Sequence, residues 1–291
     1  MLICPVANCN FMSNGCTAGA KIVGDRSYLL KNRDLVWGGF RDTIVFENDI
    51  FFVTGIDVKD GNFSGASIGF NRYGLAICNT TVLVTKDQAD DILLEKILRE
   101  TKSIPEAFEL VQRILESGER FHWCNFILAS PTGVGAIEIG DGVAQLEEDP
   151  KMITRTNHHL LLPTNDIIRD TPLEYRGAAG SLDGSKQRRQ DIAKLLADAT
   201  SMMDMSQILC THRDDRGFNS ICRHLPTNPK SNPHQGETVY SYIIEISGLQ
   251  EKALEFRLNV TPGNPCSGTF KEFVIDFDSP KSKFDVLNNY P

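Results

Sequence analysis

A four-layer α+β sandwich, two antiparallel sheets stacked between layers of helices (αββα), is what the order of elements in this 291-residue chain predicts. Three observations point there. Strand-like and helix-like stretches come in segregated blocks: strands, two helices, strands, two helices, strands. Turn signals of a few residues join the strands, as antiparallel hairpins require. Two sheets stacked between helical layers would then bury every apolar face the pattern generates.

The elements follow in order. "AKIVG" and "SYLLKNRD" flank the turn "GDRS", a hairpin with Gly and Asp at the bend. "DTIVFENDIFFVTG", "GASIGFN" and "GLAICNTTVLV" continue the β-rich block. The period then changes: Ile92, Leu93, Leu94, Ile97 and Leu98 share one face of a helix between Asp87 and Lys102. Ser103 and Glu106 make a capping box with Pro105 in the first turn, and Ala107, Phe108, Val111, Ile114 and Leu115 carry a second helix to Gly118. Strands return in "CNFILAS", "GVGAIEIG", "VAQLEED" and "MITRTN", with "PTG" and "GDG" as turns. Helices are expected at about 186–199 and 205–212, and the final third supplies "TVYSYIIEIS", "ALEFRLNV" and "FKEFVIDF" at meander spacing. Residues 223–237, "RHLPTNPKSNPHQGE", form the one long Pro/Asn-rich loop, a length that is often functional.

Bulk properties exclude several classes. The length fits two average domains or one large one, and 41% hydrophobic with 23% charged residues is ordinary for a soluble globular chain. A formal charge of −8 argues against a general nucleic-acid binder, which needs clustered Lys and Arg. No apolar run approaches the roughly 18 residues of a membrane span, and "MLICPVANCNFMSNG" has neither the basic start nor the apolar stretch of a secretory signal. The eight cysteines are too scattered for a disulfide scaffold. They are expected to be reduced, in a cytoplasmic protein.

Chemistry centres on Cys16, within "MSNGCTAGA". It could be an ordinary buried cysteine. The glycine before it tolerates the geometry a thiol needs to attack the preceding carbonyl. That attack would shift the peptide to a thioester, whose hydrolysis leaves Cys16 with a free α-amine. Such an amine, with a reference pKa of about 7.7–8, can act as base beside a thiol of about 8.5. Nucleophile and base then lie on one residue.

Cys16-Thr17, followed by a hairpin ending in Asn32-Arg33-Asp34, resembles the N-terminal nucleophile hydrolases of the penicillin-acylase-like group. These include bile salt hydrolase, penicillin V acylase and the isopenicillin N acyltransferases. Later segments resemble that family in its order: "GFNRYGLAICNTT" leads to Asn79, "TRTNHH" to Asn157 and "GSKQRRQDIAKLL" to Arg188, while "SICRH" resembles the acyltransferase branch. The similarity spans residues 15 to about 245 and implies the same αββα fold.

The resemblance implies a propeptide, 1–15, removed by self-cleavage between Gly15 and Cys16, and a single domain over 16–291. Cys16 would be nucleophile and, through its α-amine, base. Asp34 would hold that amine, and Arg188 would favour thiolate. Asn79 and Asn157 would donate to the oxyanion, worth about 3 kcal/mol per donor in a comparable site. Arg189, one residue on, competes with Arg188 for its role. Lys31 stands where bile salt hydrolases carry Arg, keeping the charge without the planar fork. Lys31, His158 and His224 are the candidates for substrate contacts.

The implied reaction is hydrolysis of a small, linear, non-peptide amide, or transfer of its acyl group, through an S-acyl enzyme. Two rivals stand beside it: a non-catalytic binding protein on the same scaffold, and a zinc hydrolase built on Cys210, His212, Cys222 and His224. A repeated C-x-H departs from the usual zinc spacing, and His158 and His159, adjacent on a strand, would face opposite ways. No metal or cofactor is therefore expected. The expected partner is a small-molecule amide, without nucleic acid or membrane, and the chain is a candidate homo-oligomer.

Overall fold

The computed structural model describes residues 14–36, 40–56, 62–228, 234–248 and 253–291. Residues 1–13 of the expected propeptide, with Cys4 and Cys9, lie outside the described residues, as do 229–233 of the Pro/Asn-rich loop.

Strands β1 (Asn14–Val23) and β2 (Arg26–Leu35) form the first hairpin, turning where Gly24 takes φ 61°, a left-handed conformation glycine adopts freely. The run 42–55 divides into β3 (Ile44–Phe46) and β4 (Ile50–Ile56), because Glu47–Asp49 turn the chain there. Next come β5 (Phe63–Asn71), β6 (Ala76–Leu83) and the helices α1 (Asp90–Glu100) and α2 (Ile104–Glu116). Ser103 caps α2 by accepting from the Glu106 amide, but the Glu106 carboxylate accepts from Lys102 rather than from Ser103, so only half of the expected box forms. Strands β7 (Trp123–Ser130), β8 (Gly133–Gly140), β9 (Val143–Asp149) and β10 (Met152–Arg155) follow. The β8–β9 turn places Asp141 and Gly142 at φ 52° and 77°, as a tight hairpin requires.

Two short helices, α3 (Asn165–Asp170) and α4 (Leu173–Arg176), lead into α5 (Leu182–Asp198) and α6 (Met202–Cys210). Both longer helices start three to four residues before the apolar pattern suggests, since Ser181 and Ser201 cap them. The chain ends with β11 (Glu237–Ser247), β12 (Glu255–Pro262), β13 (Lys271–Ile275) and α7 (Pro280–Asn289). Helices α3 and α7 escape the sequence pattern because each buries a single apolar residue, Ile168 and Val286.

Six strands make one antiparallel sheet in the order β10-β1-β2-β11-β12-β13, and seven make the other in the order β3 to β9. Alternation along each strand sorts the apolar side chains into three layers. Between the sheets lie Ala18, Ala20, Leu29, Val53, Phe70, Cys78, Ile127 and Ile244, among others. The opposite face of the seven-stranded sheet sends Phe52, Ile77, Phe126 and Leu128 against α1 and α2. The opposite face of the six-stranded sheet sends Tyr28, Leu30 and Ile243 against α5 and α6. The αββα sandwich expected from the block order is the fold observed.

Candidate active site

The site forms on β1 and β2, central in their sheet, and on the two chain segments that cross their ends. Antiparallel register sets Cys16 opposite Arg33 and Gly15 opposite Asp34. Residues directly opposite share a face, so Arg33 lies beside the thiol and Asp34 beside the Gly15 position. Cys16 is 1% exposed. Its main-chain nitrogen donates to Asn157 Oδ1 at 3.3 Å.

Gly15 sits in extended strand backbone, outside the left-handed region. Conformational freedom is therefore not why glycine stands there. A Cβ at this position would lie 2.1 Å from the Ala178 carbonyl oxygen and 2.6 Å from Arg223 Nη1. The reason is space.

Asn157 is held from several directions. Its main-chain nitrogen donates to Ser185 Oγ at 2.9 Å, its Nδ2 to the Thr81 carbonyl at 2.6 Å, and its Oδ1 accepts from Arg188 Nη2 at 2.5 Å. Ser185 and Arg188 are one turn apart near the start of α5, so the S-x-x-R spacing puts both on the face that meets Asn157. Arg188 also donates to Thr17 Oγ1 at 3.3 Å and to the Phe218 carbonyl. One position further, Arg189 is rotated by about 100° around the helix and is partly exposed. Arg188 is the one brought to the site.

Asp34 is fully buried, accepting from Thr238 Oγ1 at 2.7 Å and facing Arg223 Nε at 3.3 Å. Burial raises its pKa, opposed by Arg223, Arg188, the Thr238 hydrogen bond and Lys31. Arg223 and Arg188 are both pulled below the ordinary guanidinium range, first by burial, and Arg188 further by the charge of Arg223. The Cys16 thiol is pushed up by burial, while Lys31 and then Arg33 draw it down. Arg188 and Cys16 interact as well, but its direct contacts are to Asn157 and Thr17. It positions more than it activates.

Lys31 is buried and donates to Ser67 Oγ at 2.7 Å and to Asn79 Oδ1 at 2.6 Å. Asn79 Nδ2 gives its hydrogens to Asp90 at 2.8 Å and Asp91 at 2.9 Å. The expected oxyanion donor is thus spent on two carboxylates at the start of α1. Asp90 is pushed up to about 6 by burial, and Asp91 well up by burial and by Asp90. Gly55 and Gly65 make the room, since a Cβ at either would meet Asp91 at 2.2 Å and 2.1 Å.

His158 does not reach toward the thiol. It is buried, with Nδ1 2.8 Å from Ser185 Oγ and 3.2 Å from Thr156 Oγ1, and burial plus Arg188 push it down to about 3. It is a neutral strut beneath Ser185. His224 belongs to another cluster: its Nε2 lies 3.3 Å from Cys266 Sγ and 3.8 Å from Cys222 Sγ, and its ring is 5.5 Å from that of His212. The thiol and imidazole atoms of His212, His224 and Cys266 lie within 4.8 Å of one another, so Cys266, not Cys210, completes the set that C-x-H spacing suggested. The six cysteines within the described residues are free thiols.

Sequence reasoning also missed Arg223 as the partner of Asp34, although it lies within the "SICRH" segment, and the Asp42 carboxylate that pairs with Arg33 at 2.7 Å. A cleft of about 330 Å³ at the end of β6 is lined by Leu83, Lys86, Arg120 and Trp123, and by none of the candidate catalytic side chains. Among the described residues, no helix is long and apolar enough to cross a membrane.

Two stacked antiparallel sheets between helical layers define a class, the N-terminal nucleophile hydrolase fold. The profile of the acyl-coenzyme A:6-aminopenicillanic acid acyl-transferase family matches residues 24–248, and the chain belongs to that family. The match begins after Cys16. Among solved structures, penicillin V acylase from Agrobacterium tumefaciens is similar with a TM-score of 0.53 and 12% identity, over 90% of this chain and 86% of that one. A mutant of the conjugated bile acid hydrolase from Clostridium perfringens gives the same score and identity, over 90% and 97%. Comparison with curated protein sequences gives no significant match.

Proposed function

We propose that this chain is a cysteine amidohydrolase or acyltransferase that becomes active when the Gly15–Cys16 bond is cut. One observation carries the reading. The nitrogen of Cys16, the atom that would become the α-amine, is held by Asn157 Oδ1, which is held in turn by Arg188. The base is thus positioned before it exists. Family membership and the fold of penicillin V acylase and bile acid hydrolase support the same chemistry.

The α-amine would take the Cys16 thiol proton as the sulfur attacks the carbonyl carbon of a small, linear, non-peptide amide. Asn157 Nδ2, with one hydrogen on Thr81, would turn its second to the oxyanion. Collapse breaks the C–N bond, the α-ammonium returns its proton to the departing amine, and an S-acyl Cys16 remains. Water or an amine then takes the acyl group. Asp34, on the Gly15 side and locked by Thr238 and Arg223, would bind the ammonium form once the peptide is gone. Neither nucleic acid nor a membrane enters this reaction.

The test is intact-mass measurement during incubation with a panel of N-acyl amino acids, acyl-amines and β-lactams. An acyl adduct on a chain beginning at Cys16, with amine released, is expected. Turnover by a chain still carrying residues 1–15, or by Cys16→Ala, would sink the mechanism.

A further inference from the structure

The chemistry above leaves one cluster of thiols and imidazoles unused. We propose that Cys222, His224, Cys266 and His212 form a tetrahedral site for one zinc ion, which clamps the segment carrying Arg223. Sequence spacing argued against zinc because it considered a single segment. In the fold, two segments contribute: Cys222 and His224 from the connection after α6, and Cys266 from the β12–β13 connection.

The distances fit the ion. Zinc bonds of about 2.3 Å to sulfur and 2.0–2.1 Å to nitrogen give tetrahedral edges of roughly 3.8 Å between sulfurs and 3.6 Å between sulfur and nitrogen. The observed edges are 3.6 Å for Cys222 to Cys266, 3.8 Å for Cys222 to His224 and 3.3 Å for Cys266 to His224. Three atoms already outline one face of the tetrahedron. His212 is the fourth, its nitrogen within 4.8 Å of the ligand atoms of His224 and Cys266. Cys222 falls outside that group of three, so His212 must swing toward Cys222 to close the tetrahedron. Two thiols and two imidazoles are a soft donor set, and an exposed Cys266 gives the ion an entry path. Binding would exchange two thiol protons for the metal, leaving both sulfurs as thiolates.

Residues 222 to 224 explain what the ion would do. Cys222 and His224, two apart, reach the cluster together, while Arg223 between them reaches the other way to Asp34 and the Ala178 carbonyl. The Asn264 amide already ties this strip to the β12–β13 connection through the Arg223 carbonyl. A metal on both flanks of Arg223 would fix its backbone, and through it the carboxylate beside the Gly15 position. Its role is positional rather than catalytic.

Untagged, reduced, metal-free chain should be titrated with Co²⁺ and then Zn²⁺. One equivalent should give thiolate-to-cobalt absorption and tetrahedral visible bands, bleached by zinc. Cys266→Ser, at an exposed loop position, should weaken binding at least about tenfold while the fold persists by circular dichroism. Cys210→Ser should bind as the wild type does. Pale octahedral cobalt spectra, or equal affinity in Cys266→Ser, would overturn the site. So would a stable Cys222–Cys266 disulfide that forms with metal present.

Discussion

At the residue scale, the informative position is Gly15. Its role is steric, so the smallest possible change should matter. Gly15→Ala puts a methyl against a main-chain carbonyl, which cannot swing aside as a flexible side chain could. We expect self-cleavage to stall or slow severely, with mass spectrometry showing a chain that retains residues 1–15. Rapid cleavage of that variant would show that the strand yields and that space is not the constraint. Cys16→Ala should stay full length and inactive.

The same scale separates the cations. Lys31 heads the charges that lower the thiol pKa, followed by Arg33, whereas Arg188 grips Asn157. Lys31→Met should therefore slow alkylation of processed Cys16 near neutral pH roughly tenfold, by making thiolate scarcer. Arg188→Ala should lower turnover by loosening Asn157, with a smaller effect on alkylation, and Arg189→Ala should do little. If Arg189→Ala alone impairs the enzyme, α5 is set differently against Asn157.

At the scale of elements, the site is a junction between a hairpin, the start of α5 and the connection after α6. Asp34→Asn tests that junction. On the proposed mechanism Asp34 binds the α-ammonium, and its loss should cost about 10²–10⁴-fold in rate. The ion pair with buried Arg223 adds a cost: removing one partner of such a pair typically destabilises by about 3–5 kcal/mol. Activity and thermal midpoint should both fall, and near-normal turnover would show that Asp34 serves structure alone.

Helix start signals were partly legible. Ser103 marks the start of α2, whereas Ser181 and Ser201 cap α5 and α6 three to four residues ahead of the apolar pattern. Polar elements were not. Short helices with one buried residue lack a periodic stripe, so α3 and α7 emerge only when the sheets behind them exist.

At the scale of the whole molecule, the buried charge has consequences for pH. His158 is held near 3 in the fold against about 6.5 in an unfolded chain, so the unfolded state binds more protons between those values. Its contribution is complete above about pH 6.5 and is lost as pH falls toward 3. The raised carboxylates Asp34, Asp42 and Asp91 act in the opposite sense, favouring the fold as they protonate. Comparison with His158→Gln isolates the histidine. The variant should lose less stability than the wild type between pH 7 and 5, and equal slopes would place the proton uptake elsewhere. Activity on a neutral amide should also depend only weakly on salt, since no counterion release accompanies its binding.

Block order and hairpin turns came from the sequence by itself, because periodicity and turn chemistry are properties of neighbouring residues, and the Cys16, Asp34, Asn157, Arg188 series came from the resemblance of short segments to a known family. Pairings across long separations were decided only by the tertiary structure. Asp34 meets Arg223, Lys31 meets Asn79, and Cys266 joins Cys222, each across more than forty residues. Burial did the rest. In the low-dielectric interior a side chain's role follows from the group that neutralises it, so Asn79 became the partner of two carboxylates and His158 a neutral strut. A linear sequence carries the residue types for such partnerships, while the stacking of two sheets selects which of them meet.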